Sequence, residues 1–261
     1  MKINEYYRDT ANMNLNGSIA ALVPTTIIII GNLTVLKHRE IMLFALPFMI
    51  YSLLSFQVYL FRMRQSNMIR RNMIDSKDIS TSIFSARHLL LLYKNSQFSS
   101  LFIYFPDGQM AGQIKRFRGT GMERLKRSRT YALYNVEDQA IGYFKLKGRK
   151  ELKMDIFDRN KEFLGRFEKK HLGFKKVKKE LYDRTGRIIG EIEGSSVFMD
   201  EHIFDNSQHE VGRLRRGWMP IEWSPLFPEP NTPILSLKEG LTEEDRLLKM
   251  SLLINEYFIE R

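Results

Sequence analysis

The chain has 261 residues and carries 41 Lys and Arg against 30 Asp and Glu, a formal net charge of +11. A hydrophobic share of 43%, with 18 Phe, 11 Tyr and 2 Trp, excludes a wholly disordered protein and suits one large or two small folded units. The absence of cysteine excludes disulfides, thiol catalysis, iron–sulfur clusters and cysteine-based zinc sites, and His38, His88, His171, His202 and His209 lie too far apart for a His-x3-His metal pair.

The N-terminal region is apolar. No charged side chain occurs from Thr10 to Leu36, and Ile41–Phe61 runs 21 residues without one. A bilayer core takes about 20 apolar residues per helix, so both stretches are long enough to span. Only Lys37, His38, Arg39 and Glu40 separate them, which forces an antiparallel hairpin. Pro24 and Pro47 are compatible with lipid-embedded helices. No basic segment directly precedes a single apolar run, and no Ala-x-Ala site follows, so a cleaved signal peptide does not fit. Arg62, Arg64, Arg70 and Arg71 follow the second stretch, and Lys2 and Arg8 precede the first, against Lys37 and Arg39 at the tip. The side richer in Lys and Arg faces inward. The expectation is a two-pass cell-membrane protein with both termini cytoplasmic. Its parts are a tail over 1–16, a hairpin over 17–61, a basic linker over 62–83 and a soluble domain over 84–261.

Residues 62–216 hold 33 Lys and Arg against 19 Asp and Glu, whereas 217–261 hold 4 against 8. The basic body is thus distinct from an acidic end. Within the body an aromatic residue, polar turn residues and a Gly eight positions later recur at Tyr104–Gly112, Tyr134–Gly142, Phe157–Gly165, Tyr182–Gly190 and Phe204–Gly212. Turn residues flanked by β-formers read as hairpins. A Gly at a fixed place in each returning strand predicts a bulge or a close backbone approach. Units of unequal length without a propeller signature favour hairpins that close into a barrel. A final helix is predicted over 243–260, capped by Thr242, with Glu243, Glu244 and Asp245 in its first turn. Its apolar residues cover nearly every face, so protein must surround it. The fold class is therefore a membrane-anchored α+β chain: two transmembrane helices, then a mostly antiparallel β-barrel of repeated hairpins enclosing a hydrophobic C-terminal helix.

Lys179–Gly194 (KELYDRTGRIIGEIEG) and Asp200–Arg216 (DEHIFDNSQHEVGRLRR) carry this rhythm best. Together with the terminal helix, the region Phe84–Arg261 resembles the tubby C-terminal-like superfamily, which includes plant LURP-one-related proteins, small bacterial relatives and phospholipid scramblases. The resemblance implies a closed antiparallel barrel around a central C-terminal helix. It further implies binding of anionic lipid through basic residues, or calcium-dependent lipid movement. No Asp-x-[Asp/Asn]-x-[Asp/Asn]-Gly calcium loop occurs, and the membrane segment here is a separate N-terminal hairpin.

Nothing in the chain reads as catalytic. Gly-x-Ser-x-Gly, phosphate-loop, His-Glu-x-x-His and dinucleotide motifs are missing. Glu191 and Glu193 read as solvated strand carboxylates. The expectation is a non-enzyme without metal or cofactor. Three basic groups stand out: Lys115, Arg116, Arg118, Arg124, Lys126, Arg127 and Arg129; Lys169, Lys170, Lys175, Lys176, Lys178 and Lys179; and Arg213, Arg215 and Arg216. On a tethered domain the six lysines, with Arg62, Arg64, Arg70 and Arg71, form a candidate surface for anionic membrane lipid, each cation near the surface contributing about 1 kcal/mol. Nucleic acid is not expected as a partner, for want of a stacking platform. Gly217–Ser236 holds five of the eight prolines and both tryptophans. Trp218, Trp223 and Phe227 there are candidate partner-binding residues, or else pack a crossover and cover the barrel mouth. The function expected is docking on anionic headgroups or on a membrane-associated partner. An accessory or immunity-type protein that recognises another membrane protein is the alternative, and lipid scrambling is a third reading resting on the resemblance alone. A cysteine-free, Lys- and Ile-rich chain suits a bacterium.

Overall fold

The computed structural model describes residues 1–73, 82–94, 99–117, 129–148, 152–171, 177–195 and 198–259, which fall into two compact units, the first ending at residue 75. Helix α1 (Ile3–Gly31) continues through a π-helical turn over Asn32–Leu36. At the tip Lys37 turns the chain with φ 51°, and Asn32 Oδ1 accepts from His38 N at 3.0 Å. A 3-10 stretch, Arg39–Ala45, leads into helix α2 (Leu46–Asn72).

The pair is built inside out. Ser18, Ala21, Thr25, Ser52 and Ser55 are buried, while Ile19, Val23, Ile27, Leu53 and Leu54 are exposed. Ser18 Oγ donates to Ser52 O at 2.9 Å. Small and hydroxyl side chains between helices, with apolar side chains outward, match helices whose solvent is hydrocarbon. Both helical runs, Ile3–Val35 and Glu40–Asn72, have 33 residues and are long and apolar enough to cross a membrane. At 1.5 Å per residue each is about 50 Å long, well beyond a core of about 30 Å.

The structure extends the pair past the uncharged stretches. Residues 3–16, expected as a tail, are helical, and so are 62–72, expected as linker. Ile3, Tyr7, Ala11 and Ile69 are buried there, Ser66 Oγ donates to Asn4 O at 2.7 Å, and the Arg62 guanidinium lies 5.5 Å from the Tyr7 ring centroid. A charged side chain ends an apolar stretch but not a helix, because it can point away from the partner helix. Of the rest of the expected linker, 74–81 lies outside the described residues, and Ile83 is buried in the core of the second unit.

The second unit is a closed antiparallel barrel of twelve strands in meander order: β1 (His88–Lys94), β2 (Ser100–Tyr104), β3 (Met110–Arg116), β4 (Thr130–Tyr134), β5 (Ala140–Lys147), β6 (Leu152–Asp158), β7 (Phe163–His171), β8 (Val177–Asp183), β9 (Ile188–Ser195), β10 (Asp200–Asp205), β11 (Glu210–Arg215) and β12 (Ile234–Leu237). The five sequence units are the hairpins β2–β3, β4–β5, β6–β7, β8–β9 and β10–β11. In each the register shifts at the motif aromatic: Tyr104, Tyr134, Phe157, Tyr182 and Phe204. The motif Gly sits across from the residue before it, as Gly165 does from Ile156. An Asp or Asn opens four of the turns: Asp183 Oδ1 accepts from Thr185 N at 2.8 Å and Arg187 N at 2.9 Å, and Asp205 Oδ1 accepts from Ser207 N and His209 N at 2.8 and 2.9 Å. Asn135 and Asp158 accept in the same way.

Helix α3 (Glu243–Ile254), extended by a π-helical turn over Asn255–Ile259, fills the barrel. Thr242 Oγ1 caps it by accepting from Asp245 N at 3.1 Å. Every residue from Arg246 to Tyr257 is buried. Leu247, Leu248, Met250, Leu252, Leu253 and Ile254 join Ile114, Phe144, Ile156, Phe167, Leu181, Ile203 and Leu214 from the wall in one core.

A Cβ on Gly165 would lie 2.1 Å from the Tyr182 carbonyl oxygen and 3.0 Å from Leu248 Cδ2. Gly165→Ala must therefore push β8 or α3 away, and is expected to destabilise the barrel by about 1–3 kcal/mol. A Cβ on Gly31 meets nothing within 4 Å, so Gly31→Ala is expected to leave the barrel transition unchanged. Circular dichroism melts of the two variants in detergent test the contrast.

Candidate functional site

All five hairpin turns, and the entry of α3 at Thr242, lie at one end of the barrel, as the antiparallel order requires. The opposite end receives the C-terminal turn of α3 and the chain ends at Arg116, Lys147, His171, Ser195 and Arg215. The candidate site is this second end.

Lys179 faces inward there. It is buried, its Nζ donates to Glu201 of β10 and, at 3.1 Å, to Glu256 Oε1 of the α3 extension. Asn255 Nδ2 donates to the same Glu256 Oε1 at 2.7 Å. Lys169 stands across from Lys179 in the β7–β8 register. Burial pushes its ammonium below the ordinary lysine range, and the Lys179 charge adds to this, while Glu256 and Glu201 oppose it. The Lys179–Glu256 pair thus ties the last turn of α3 to the wall, with Glu201 and Lys169 beside it.

On the other side of α3 the mouth is aromatic. Tyr131 and Phe258 have ring centroids 4.6 Å apart, Tyr93 and Tyr257 5.8 Å, and Tyr93 and Phe258 5.7 Å. Burial raises the Tyr131 hydroxyl pKa, and the Arg116 and Arg129 charges work against that shift.

The outer wall carries a charged band. Glu168, Glu180 and Glu191 stand directly opposite one another across β7, β8 and β9, an arrangement that costs stability unless cations intervene. Lys170 Nζ reaches Glu180 at 3.0 Å and Glu168 at 3.2 Å, and Lys178 Nζ reaches Glu180 at 2.8 Å and Glu191 at 2.9 Å. Tyr182 OH donates to Glu180 at 2.7 Å. Burial alone would raise the Glu180 pKa, but Lys178, Tyr182 and Lys170 outweigh it and hold the carboxyl at about 2. The Lys170 and Lys178 ammoniums are raised by the same hydrogen bonds. Asp155 is treated alike: burial pushes it up, and Lys147 and Arg166 bring it below the usual range.

The candidate lipid-binding residues are therefore not one patch. Lys169 and Lys179 belong to the interior, Lys170 and Lys178 are engaged by wall carboxylates, and Lys175 and Lys176 lie outside the described residues, as do Arg118, Arg124, Lys126 and Arg127. Arg62, Arg64, Arg70 and Arg71 lie on α2, in the first unit. Among the described residues, the exposed charged side chains at this end of the barrel wall are Arg116, Arg129, Lys145, Lys147 and Arg216, with the carboxylate Glu193. The turn end instead exposes Asp107, Glu137, Asp138, Glu162, Glu210, Glu239, Glu243 and Glu244, with Arg87, Arg159, Lys161, Arg184, Arg187 and Lys238 among them.

Trp218, Trp223 and Phe227 also separate. Phe227 is fully buried against Tyr104, ring centroids 6.3 Å apart. Tyr104 alternates with the core residue Ile103 on β2, so Phe227 packs the outer wall and not the mouth. Trp223 lies 5.6 Å from the His88 ring, whose Nδ1 pairs with Ser236 Oγ at 2.9 Å. Trp218 is 91% exposed. The carboxylates Glu168, Glu180, Glu201 and Glu256 were not singled out from the sequence, although the signal existed: strand alternation puts Lys179 on the face of Leu181. Among the described residues no group of three His, Cys, Asp or Glu could hold a metal ion.

No protein-family model matches the chain, and no curated protein matches it. An X-ray structure of a protein from Arabidopsis thaliana is similar over 68% of this chain and 95% of its own, at 11% identity and a TM-score of 0.42.

Removing Lys179 takes the ammonium from two buried carboxylates, whereas removing Lys178 leaves Glu180 with Lys170 and the half-buried Glu191 to water. Lys179→Met is expected to cost about 3–5 kcal/mol and Lys178→Met less than about 1 kcal/mol, as read by urea unfolding. The depressed Glu180 pKa stabilises the fold above the ordinary carboxyl value of 4.5, and that contribution is lost as pH falls towards about 2. The stability gap between the natural chain and Glu180→Gln should thus be full at pH 7, narrow below 4.5 and vanish near 2.

Proposed function

We propose that this chain is a two-pass cell-membrane protein with both termini cytoplasmic, and that its barrel is a tubby-like, non-enzymatic binding domain that docks on anionic lipid headgroups. The observation that carries the reading is the charge difference between the barrel ends. Carboxylates outnumber cations at the turn end, while at the other Arg116, Arg129, Lys145, Lys147 and Arg216 outnumber the exposed Glu193. An anionic surface attracts the second and repels the first. The inside-out packing of α1 and α2 supports the anchor, because exposed Ile, Leu, Val and Phe side chains along both helices need an apolar solvent. The closed barrel around a C-terminal helix supports the tubby-like assignment. Docking runs through the exposed cations of this end, chiefly Arg116, Arg129, Lys145 and Arg216, since Lys147 is shared with Asp155 and the lysines over 169–179 that are described have carboxylate partners or face inward. The bacterial origin expected from composition belongs to the same proposal.

Amine footprinting of the full chain in nanodiscs tests the reading. With phosphatidylglycerol present, Lys145 and Lys147 should lose reactivity towards a water-soluble acylating reagent, while Lys161 and Lys238 at the turn end should not. The protection should be lost in about 1 M salt, where screening acts within about 3 Å. Equal reactivity of Lys145 and Lys147 in neutral and anionic discs would mean that the barrel does not dock on lipid.

A further inference from the structure

The largest apolar side chains that the barrel unit leaves in water are not scattered. Trp218 is 91% exposed, Ile221 86% and Phe198 75%. Phe198 precedes β10 and Trp218 follows β11, so both leave from the end that carries the exposed cations, and Ile221 lies three residues beyond Trp218. Arg216 N donates to Met199 O at 2.9 Å, which ties the two segments together. Tryptophan is highly buried on average in soluble domains. Large apolar side chains exposed on two segments that are tied together mark an interaction site, whereas single ones need no explanation.

The backbone presents this tip and does not merely leave it loose. Gly217 has φ 85°, Trp218 φ 56° and Met199 φ 50°. A bulky residue at positive φ is strained, and strain persists only where the surroundings impose it. The surroundings here are firm: the chain enters from β11, turns through a 3-10 segment at Ile221–Trp223, and is pinned by Trp223 beside His88 and by the buried Phe227. Trp218 gains no burial from the arrangement.

Resting on the docking reading above, we infer that Trp218, with Ile221 and Phe198, is a wedge that enters the headgroup region of an anionic bilayer. An indole ring, apolar in body and polar at its N–H, prefers the membrane–water interface. Arg215 and Arg216 directly precede the wedge and match phosphate groups, and Glu222 is the carboxylate that must stay on the water side. Charge complementarity selects a lipid surface over a second copy of the chain, whose same end is equally basic.

The sequence supplies its own probe, because Trp218 and Trp223 are its two tryptophans. In full-length Trp223→Phe, Trp218 reports alone; in Trp218→Phe, Trp223 does. Both go into nanodiscs of phosphatidylcholine, with or without phosphatidylglycerol, and with or without brominated acyl chains. Insertion predicts that Trp218 emission moves to shorter wavelength in anionic discs and is quenched by the brominated chains, while Trp223 changes little. Lysine protection with Trp218 still quenched by acrylamide from the water would overturn the wedge and leave docking standing. Trp218 shielded from acrylamide yet untouched by brominated lipid would overturn it in favour of a protein contact. Neither lysine protection nor a Trp218 shift would overturn both readings together.

Discussion

A closed sheet of twelve strands encloses more space than its inward side chains fill, and the structure depends on how that space is occupied. Helix α3 occupies it. A helix inside a barrel has no outward face, so apolar residues are required all round it, and Leu247 to Ile254 supply them. The same enclosure makes every polar group on the helix expensive unless it finds a partner. Arg246 meets this by donating to the carbonyls of Ala86 and Lys238, Lys249 by lying over Asp245 O at 3.5 Å, and Glu256 by accepting from Lys179 and Asn255. The buried ion pairs fix where the helix stops along the barrel axis, whereas apolar packing alone would allow it to slide.

Much of this was legible because the hairpin unit repeats. The motif aromatic marks the register shift, the following Asp or Asn folds the turn, and the Gly eight residues on lets the neighbouring strand or the helix come close. At Gly112, Gly165 and Gly190 the obstructing atom is a backbone carbonyl oxygen, 2.5, 2.1 and 2.5 Å from where a Cβ would sit. The enclosed helix was equally legible from its all-round apolarity. Less so were the helix extents in the first unit, since Arg62, Arg64, Arg70 and Arg71 interrupt apolarity without interrupting hydrogen bonding. The charged site was the least legible. Reading six lysines as one patch ignored that adjacent strand residues face opposite sides. Lys178 and Lys179 cannot both point outward, and the Lys179 partners lie 22 and 77 residues away in sequence, beyond any local pattern.

The meander order sorts charge as well as strands. Tight turns are confined to one end because each hairpin unit carries its own Asp- or Asn-based turn, and further carboxylates such as Glu137, Asp138 and Glu162 are exposed beside them. Connections between hairpins all leave from the other end. Basic residues can accumulate at that end without disturbing the fold, and the helix C-terminus, the negative end of its dipole, lies among them.

In the docking reading, the tether changes how strong such a surface must be. Linking a domain to the membrane by a short chain segment gives an effective concentration of order mM, so an intrinsic affinity of about mM, roughly −4 kcal/mol, already leaves the barrel docked about half the time. With about 1 kcal/mol for each cation close to an anionic leaflet, Arg116, Arg129, Lys145 and Arg216 are enough to reach that balance. A surface this weak releases when local anionic lipid falls or salt rises, and it becomes firm only when apolar contact is added. Trp218 is placed where that addition is possible, on a strained backbone that keeps it out of the protein's own core. The exposed cations would then set the orientation of the barrel end, and the wedge its residence time, two roles that an exposed basic face alone does not separate.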